Sequence, residues 1–341
     1  LRGARVRTRE VVAGQDMFLE PSPKRFARDA AEPSVRAAAQ SRDEELPPDV
    51  NLVGDPESGI LDQLPEAVRQ RVTQLQSDLS SLSALKPDAV EPGPDYHMKF
   101  EIAPEYADQR LIETKRNHGQ ANDALFRRWI TENDGILIEP VADGEDIRYA
   151  SNHCFPTAAS GASKRVSFVG AKLNPATVSD AVFRYSTRDV LSSLDPKKLG
   201  VFSVIDVRWA FNLIPIHPDH RKYTTFYGPD GKYYRYKRMS FGFKNAPAVF
   251  HRWMTDLFRP LEEFVRVYVD DLLIFSETAE EHVAHLERVK NLLLQHHIPV
   301  RWQKLKLFRS QVDYLGARLG PGNCVIPNAA SLESLDNMET P

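Results

Sequence analysis

The chain has 341 residues, 42% of them hydrophobic and 27% charged, with a formal net charge of −3. This length allows two or three subdomains around a sizeable core, and the near balance of charge excludes capture of a polyanion by bulk charge alone. Two distant cysteines, Cys154 and Cys324, exclude a disulfide framework or a cysteine-rich zinc site, and no apolar stretch is long enough to span a membrane.

Residues 1–60 are rich in Pro, Ala, Arg and acids and show no sustained periodicity, which predicts a disordered segment. Eight Asp and Glu fall between Asp43 and Glu66 with no basic residue among them. In the linker 61–95, Leu61, Leu64, Val68, Val72, Leu75, Leu79 and Leu82 recur at helical spacing, and Pro87 ends the run. Such a helix has two uses, a short dimeric coiled coil or packing on the body of the protein. Further on, Gly200 bounds the short apolar strand Val201-Phe202-Ser203-Val204-Ile205, which ends in Asp206.

A basic window follows. From Arg221 to Arg252 there are eight Lys and Arg against one acid, Asp230. Tyr223, Phe226, Tyr227, Tyr233, Tyr234, Tyr236, Phe241 and Phe243 are interleaved with them. Alternating Tyr and Lys or Arg suits a phosphate backbone with stacked bases. The same residues also predict a hairpin around Gly228-Pro229-Asp230-Gly231 with one aromatic core face and one solvated face. Asn245 is placed to cap a helix with the apolar face Phe250, Trp253, Met254, Leu257 and Phe258.

The most informative stretch is Tyr268-Val269-Asp270-Asp271. Phe264 to Val269 leads in and Leu272 to Ser276 leads out, so both flanks read as strands of a β-hairpin with acids at its tip. Acids disfavour strands and are costly to bury unpaired, so a compensating positive charge is required. If the Asp206 strand lies beside this hairpin, Asp206, Asp270 and Asp271 converge. An oxygen-only donor set without nearby His or Cys suits Mg²⁺ or Mn²⁺ rather than zinc. Two such ions would stabilise the attacking and leaving oxygens of a phosphoryl displacement. After the hairpin, Thr278 and Glu281 form a capping box for a helix bearing Val283, Leu286, Val289 and Leu293. His282 and His285 share a face of it and are read as solvated. Strands alternating with these helices predict an α+β architecture, helices backing one face of a mainly antiparallel sheet.

The ordered blocks VIDVRWAFNLIPI (Val204 to Ile216), MSFGFKNAPAVFHRWM (Met239 to Met254) and VYVDDLLIFS (Val267 to Ser276) resemble the reverse transcriptases of gypsy-class LTR retrotransposons and their retroviral relatives. EHVAHLERV (Glu281 to Val289), KLKL (Lys304 to Leu307) and DYLGARL (Asp313 to Leu319) continue the resemblance. It runs from about Tyr96 to the C-terminus. It implies a right-hand polymerase: fingers over 96–200, a palm with an inserted fingers hairpin over 201–320, and the start of a thumb or connection over 321–341. The reverse transcriptase domain as a whole would cover about 126–320, with thumb and ribonuclease H absent or truncated.

Carried over residue by residue, the resemblance makes Asp206, Asp270 and Asp271 the ligands of two Mg²⁺ ions, with Mn²⁺ as a substitute, and the Val207 carbonyl a further contact. Lys304 matches a lysine that protonates the leaving pyrophosphate. Phe211 matches the ring that excludes a 2′-hydroxyl, a steric role; taken alone, it reads as a core aromatic. Arg165, Arg208, Trp209, Ala210, Phe241, Gly242 and Tyr268 would complete the nucleotide site, Arg165 as a planar phosphate donor. Arg221, Lys222, Lys237, Arg238 and Lys244 would meet nucleic acid.

The implied activity is RNA-directed DNA synthesis on a primed RNA or DNA template with dNTPs. The setting would be a parent polyprotein with ribonuclease H and integrase regions, located inside the cell, in a cytoplasmic particle or the nucleus, and not in a membrane. Some positions depart from the family pattern. Gly170 stands for an acid, Lys172 for a second arginine and Ser240 for a proline. Tyr223 replaces a lysine, and the stretch from His153 to Ala159 lacks two lysines that Lys164 would replace in space. These departures support an alternative, a degenerate or domesticated fold that binds nucleic acid without polymerising.

Overall fold

The computed structural model describes residues 60–61, 64–157, 165–180, 187–321 and 324–327, all within the unit Ala38–Pro341. The expectations for residues 1–59, for most of 321–341 and for Lys164 lie outside the described residues. Among the described residues, no helix is long and apolar enough to cross a membrane.

The centre is a four-stranded antiparallel sheet in the order Lys306–Arg309, Val201–Asp206, Asp271–Ser276, Val265–Tyr268. Both faces are covered, which is why its two inner strands read as continuous apolar runs rather than alternating ones. Successive side chains still point to opposite faces. Val201, Ile205, Leu272 and Ile274 join the larger core. Phe202, Leu273 and Phe275 join a second core with Val190, Leu194, Leu199, Val312 and Leu319.

Two helices back the larger core. Helix Ala246–Phe258 buries Phe250, Trp253, Met254 and Phe258, as its spacing predicts. Asn245 stands at its N-cap, but its side chain makes no cap. It donates to Val178 O at 2.8 Å and accepts from Asp180 N at 3.1 Å, so tertiary contacts outcompete the helix end. Helix Ala279–Gln295 begins with the predicted cap, Thr278 Oγ1 accepting from Glu281 N at 3.3 Å. Its histidines are not solvated. His282 is fully buried between Ser203 Oγ (2.7 Å) and Ser276 Oγ (2.8 Å), and His285 stacks on Phe264 with ring centroids 3.7 Å apart. The hydroxyls that satisfy His282 come from two strands, Ser203 and Ser276, and no helix-periodicity argument sees them.

The N-terminal helix Glu66–Leu82 packs on Ala279–Gln295, burying Val72, Leu75, Leu79 and Leu82. Arg71 pairs with Glu287 at 2.9 and 2.7 Å, and Asp78 with Lys290 at 2.9 Å. Of the two uses open from the sequence, this is packing on the body.

A second sheet, Ile138–Pro140 with Tyr233–Tyr236 and Phe226–Tyr227, carries the aromatic hairpin. Phe226, Tyr234 and Tyr236 point into an aromatic cluster with Phe126 and His153, while Tyr227 and Tyr233 pair on the other side. Beside it, Asn152–Cys154 and Ser167–Val169 form a two-stranded ribbon.

Candidate active site

The carboxylates meet at one end of the central sheet. Asp271 lies directly opposite Asp206, and Tyr268 directly opposite Asp271, so the three form a row across neighbouring strands. Cross-strand partners share a face with Cβ atoms about 4.5–5.5 Å apart. Asp270 sits in the two-residue turn between the hairpin strands, and its carbonyl accepts from Val207 N at 2.8 Å. The turn is strained: Val269 has φ 53°, a left-handed conformation that a β-branched residue rarely adopts. Strain of this kind persists where surrounding structure over-determines it, here the buried Val269 side chain and the Asp270–Val207 bond.

Three acids packed together repel one another, and burial adds to the cost of ionising them. Burial, with Asp271 and then Asp206 adding like charge, pushes the Asp270 carboxyl up to about 7. Burial and Asp206 push Asp271 up to about 6. Asp206 is met by two cations: Arg301 Nη1 lies 2.9 Å from Oδ1, and Lys304 Nζ 3.0 Å from Oδ2. Arg301 is a residue the sequence reading missed. Its signal was the one used for the acids, a charge interrupting an apolar run, here Ile298-Pro299-Val300.

Among the described residues, no three His, Cys, Asp or Glu side chains stand grouped as metal ligands. Asp206 Oδ2 accepts from Arg301 and Lys304, while the buried Oδ1 has no hydrogen-bond partner and lies 2.9 Å from Arg301 Nη1. The donor chemistry nonetheless fits a hard divalent cation: carboxylate oxygens in register, with no competing thiol or imidazole among them. Asp206, Asp270, Asp271 and the Val207 carbonyl are the groups that would hold it.

After Asp206 the chain turns sharply through Trp209 (φ 65°) and Ala210 (φ 22°). The turn seats Phe211 against Phe241 (5.0 Å between centroids) and Phe250 (5.8 Å). Phe211 is buried and Phe241 half-buried, so Phe211 is at once a core residue and a neighbour of the carboxylate end. Gly242 has φ 98°, and a Cβ there would lie 2.1 Å from Phe168 O. Only glycine allows this turn to rest against the ribbon. Asn174 holds it there, donating to Gly242 O at 2.8 Å and accepting from Lys244 N at 3.1 Å. Arg165, two residues before the same ribbon strand, is half-buried, and its backbone N–H donates to Pro156 O at 2.9 Å. Arg208 points elsewhere than expected: its guanidinium donates to Ser83 O beyond the N-terminal helix and lies 5.3 Å over the Trp209 ring.

The basic window is corrected most. Arg238 is buried, donating to Leu213 O (2.8 Å) and Val90 O (3.0 Å) and pairing with Glu91 at 3.2 Å. Arg221 and Arg235 share Glu139, and Arg235 also meets Glu145. Arg252 pairs with Asp180 at 2.9 Å. Lys237 Nζ donates to Gly135 O, and Lys244 Nζ to Thr177 O at 2.7 Å. The local excess of positive charge therefore closes largely on acids and carbonyls from other parts of the chain. Of the residues expected to meet nucleic acid, Arg238 is not available to a phosphate. Lys222 and Lys244 are exposed.

An antiparallel sheet backed by helices, with acids at a hairpin tip and an inserted aromatic hairpin, is the α+β arrangement of the fingers and palm in a right-hand polymerase fold. Residues 165–319 match the family described as "Reverse transcriptase (RNA-dependent DNA polymerase)". The chain is 36% identical over 121 residues to the putative enzymatic polyprotein of Cassava vein mosaic virus, covering 36% of this chain and 18% of that one. It is 33% identical over 150 residues to the enzymatic polyprotein of Cauliflower mosaic virus (strain D/H), covering 44% of this chain and 22% of that one. It thus spans about a fifth of the length of these two curated relatives, and 8% of polyprotein P3 of Commelina yellow mottle virus. Among solved structures, the foamy viral protease-reverse transcriptase in complex with RNA/DNA hybrid is similar in fold. Its TM-score is 0.66 at 19% identity, over 84% of this chain and 37% of that one. The same enzyme's dRH form in complex with double-stranded DNA gives 0.64 at 19% identity, over 84% and 49%. Reverse transcriptases generally use divalent metal ions.

Proposed function

We propose that this chain is the fingers and palm of an RNA-directed DNA polymerase that extends a primer 3′-hydroxyl with dNTPs on an RNA or DNA template. The observation that carries the proposal is the register Tyr268–Asp271–Asp206, with Asp270 in the adjoining turn, within the stretch that matches the reverse transcriptase family. Two Mg²⁺ ions, or Mn²⁺, would supply charge stabilisation for the attacking and leaving oxygens when bound. Asp206, Asp270 and Asp271 present the oxygens that would hold them. Phe211 supplies a rigid wall, backed by Phe241 and Phe250, against which a 2′-hydroxyl would not fit. Lys304, exposed and 3.0 Å from Asp206, is a mobile cation near enough to give a proton to the departing pyrophosphate. Arg165 and the Phe241–Gly242 turn would seat the nucleotide.

The parent would be a polyprotein with ribonuclease H and integrase regions, working in a cytoplasmic particle or the nucleus. A gypsy-class retrotransposon is the finer reading of its origin, and the caulimovirus relatives add a viral one. A non-polymerising, nucleic-acid-binding fold is the second reading. It is favoured by the internal pairing of Arg221, Arg235, Arg238 and Arg252, which leaves few cations for a template. Primer extension on an RNA template with Mg²⁺ or Mn²⁺ separates the two. Extension lost in the Asp271→Asn variant supports the polymerase, and binding without extension by the parent protein overturns it.

A further inference from the structure

The two cations at Asp206 differ in kind. The Lys304 side chain is 52% exposed and reaches the carboxylate from solvent. Arg301 is 8% exposed and fixed at both ends. Its backbone N–H donates to Asp206 O at 2.8 Å, and its Nη1 lies 2.9 Å from Oδ1 and 3.1 Å from Oδ2 of the same residue. The flanking chain is pinned too, with Val300 bridged to Val207 and Arg208 N donating to Pro299 O at 2.8 Å. Lysine can swing away with little cost, whereas a walled-in guanidinium keeps its charge at the site in every state of the surface.

An arginine in this place hydrogen-bonds Oδ2 and stands against Oδ1, where a metal ion would have to approach, and it repels that ion. Charges a few ångströms apart in a partly dry site interact strongly, so the effect on an incoming dication is large. We propose that Arg301 is a positioning residue of the metal site, a resident countercharge that holds Asp206 in place and weakens divalent-ion binding to the protein without nucleotide. The inference rests on the metal-site reading given above. Arg301 offsets the repulsion among the acids before any ion arrives, and the ion then binds firmly only when nucleotide phosphates bring further oxygens. The Asp206 carboxylate must turn from Nη1 for this to happen, and Lys304 leaves more readily than Arg301.

The test is a titration of the full chain with Mn²⁺ alone, without nucleic acid or nucleotide, at a pH above 8. Free Mn²⁺ is read by its paramagnetic resonance signal. Arg301→Gln keeps a donor near Asp206 and removes the charge, so it is expected to bind Mn²⁺ about tenfold more tightly, the size of change one neighbouring charge produces. Arg301→Lys should resemble the parent, and Lys304→Gln should tighten binding only about twofold, because solvent screens it. Equal or weaker binding by a folded Arg301→Gln overturns the inference. Where that variant fails to fold, the Arg301 Nε–Hε resonance of the parent decides during Mg²⁺ titration. Movement as the ion binds supports competition, and a fixed resonance overturns it. Loss of Mn²⁺ binding in Asp270→Asn, with Arg301→Gln indistinguishable from the parent, sinks the Arg301 role alone. No Mn²⁺ binding by any form sinks the metal site and this inference together.

Discussion

The carboxylate end of the central sheet and the basic window were the two strongest charge signals in the sequence, and they met different fates. Asp206, Asp270 and Asp271 come from segments more than sixty positions apart, yet the sheet register brings them together. The basic residues from Arg221 to Arg252 are close in sequence, yet most turn to separate partners. Acids at the ends of apolar strands have few places to go, because the strands must pair and their ends coincide. Long Arg and Lys side chains reach many acids and carbonyls, and a cation that finds one in the fold no longer adds to an open field. A cluster of charge in sequence is therefore weak ground for an interface, whereas an acid placed against strand preference is strong ground for a site.

The largest expected effect comes from breaking the acidic side. Asp270→Asn removes one charge at almost constant volume. Extension should fall about a thousandfold, since metal stabilisation of several kcal/mol converts at tenfold per 1.36 kcal/mol. The same variant should melt higher without metal. A carboxyl raised to about 7 by burial and its neighbours binds its proton more tightly folded than unfolded. The stability it contributes is full at low pH and is lost as pH rises from its unfolded value through 7. Asp270→Asn should thus raise the melting temperature by about 2–4 °C at pH 8 and leave it near the parental value at pH 4. A uniform shift at both pH values would remove Asp270 from the repelling cluster.

Phe211→Val tests the wall beside that corner. It should cost about 1–3 kcal/mol of stability through the cavity left beside Phe241 and Phe250. It should also let ribonucleotides compete with deoxynucleotides, measured as the ratio of their incorporation efficiencies. A stability loss with unchanged discrimination would leave Phe211 a packing residue only.

The basic side separates into buried and exposed cations. Arg238→Glu places a negative charge among carbonyl oxygens and beside Glu91, so it should destabilise the protein by roughly 3–5 kcal/mol, as an uncompensated buried charge does. Lys222→Glu should leave melting unchanged and weaken binding of a primed template alike for all sequences, as backbone contacts do. The smallest effect is its salt signature, a slope of log affinity against log salt that falls by about 0.9 for each duplex phosphate no longer neutralised. If Arg238→Glu folds normally and loses only binding, the internal pairing of Arg238 does not hold in solution.

Much of the fold was legible because local and tertiary demands agree. The apolar strands, the Thr278 cap and the faces of helices Glu66–Leu82 and Ala246–Phe258 follow from periodicity and end signals. Where they conflict, local signals misled. Asn245 has the side chain of a cap but satisfies Val178 and Asp180 instead, and His282 looked exposed because the hydroxyls that satisfy it belong to other strands.

By itself the sequence determined that three acids end or join apolar strands and that its blocks resemble those of a polymerase in order. The first is set by strand preference and burial cost, which act within a few residues. Only the tertiary structure decided that Asp271 faces Asp206, that Arg301 and Lys304 meet Asp206 there, that Arg208 and Arg238 hold the N-terminal segment, and that the first helix packs on Ala279–Gln295. Each of these joins side chains from distant segments, and the pairing of long charged side chains depends on which partners the packed core leaves within reach.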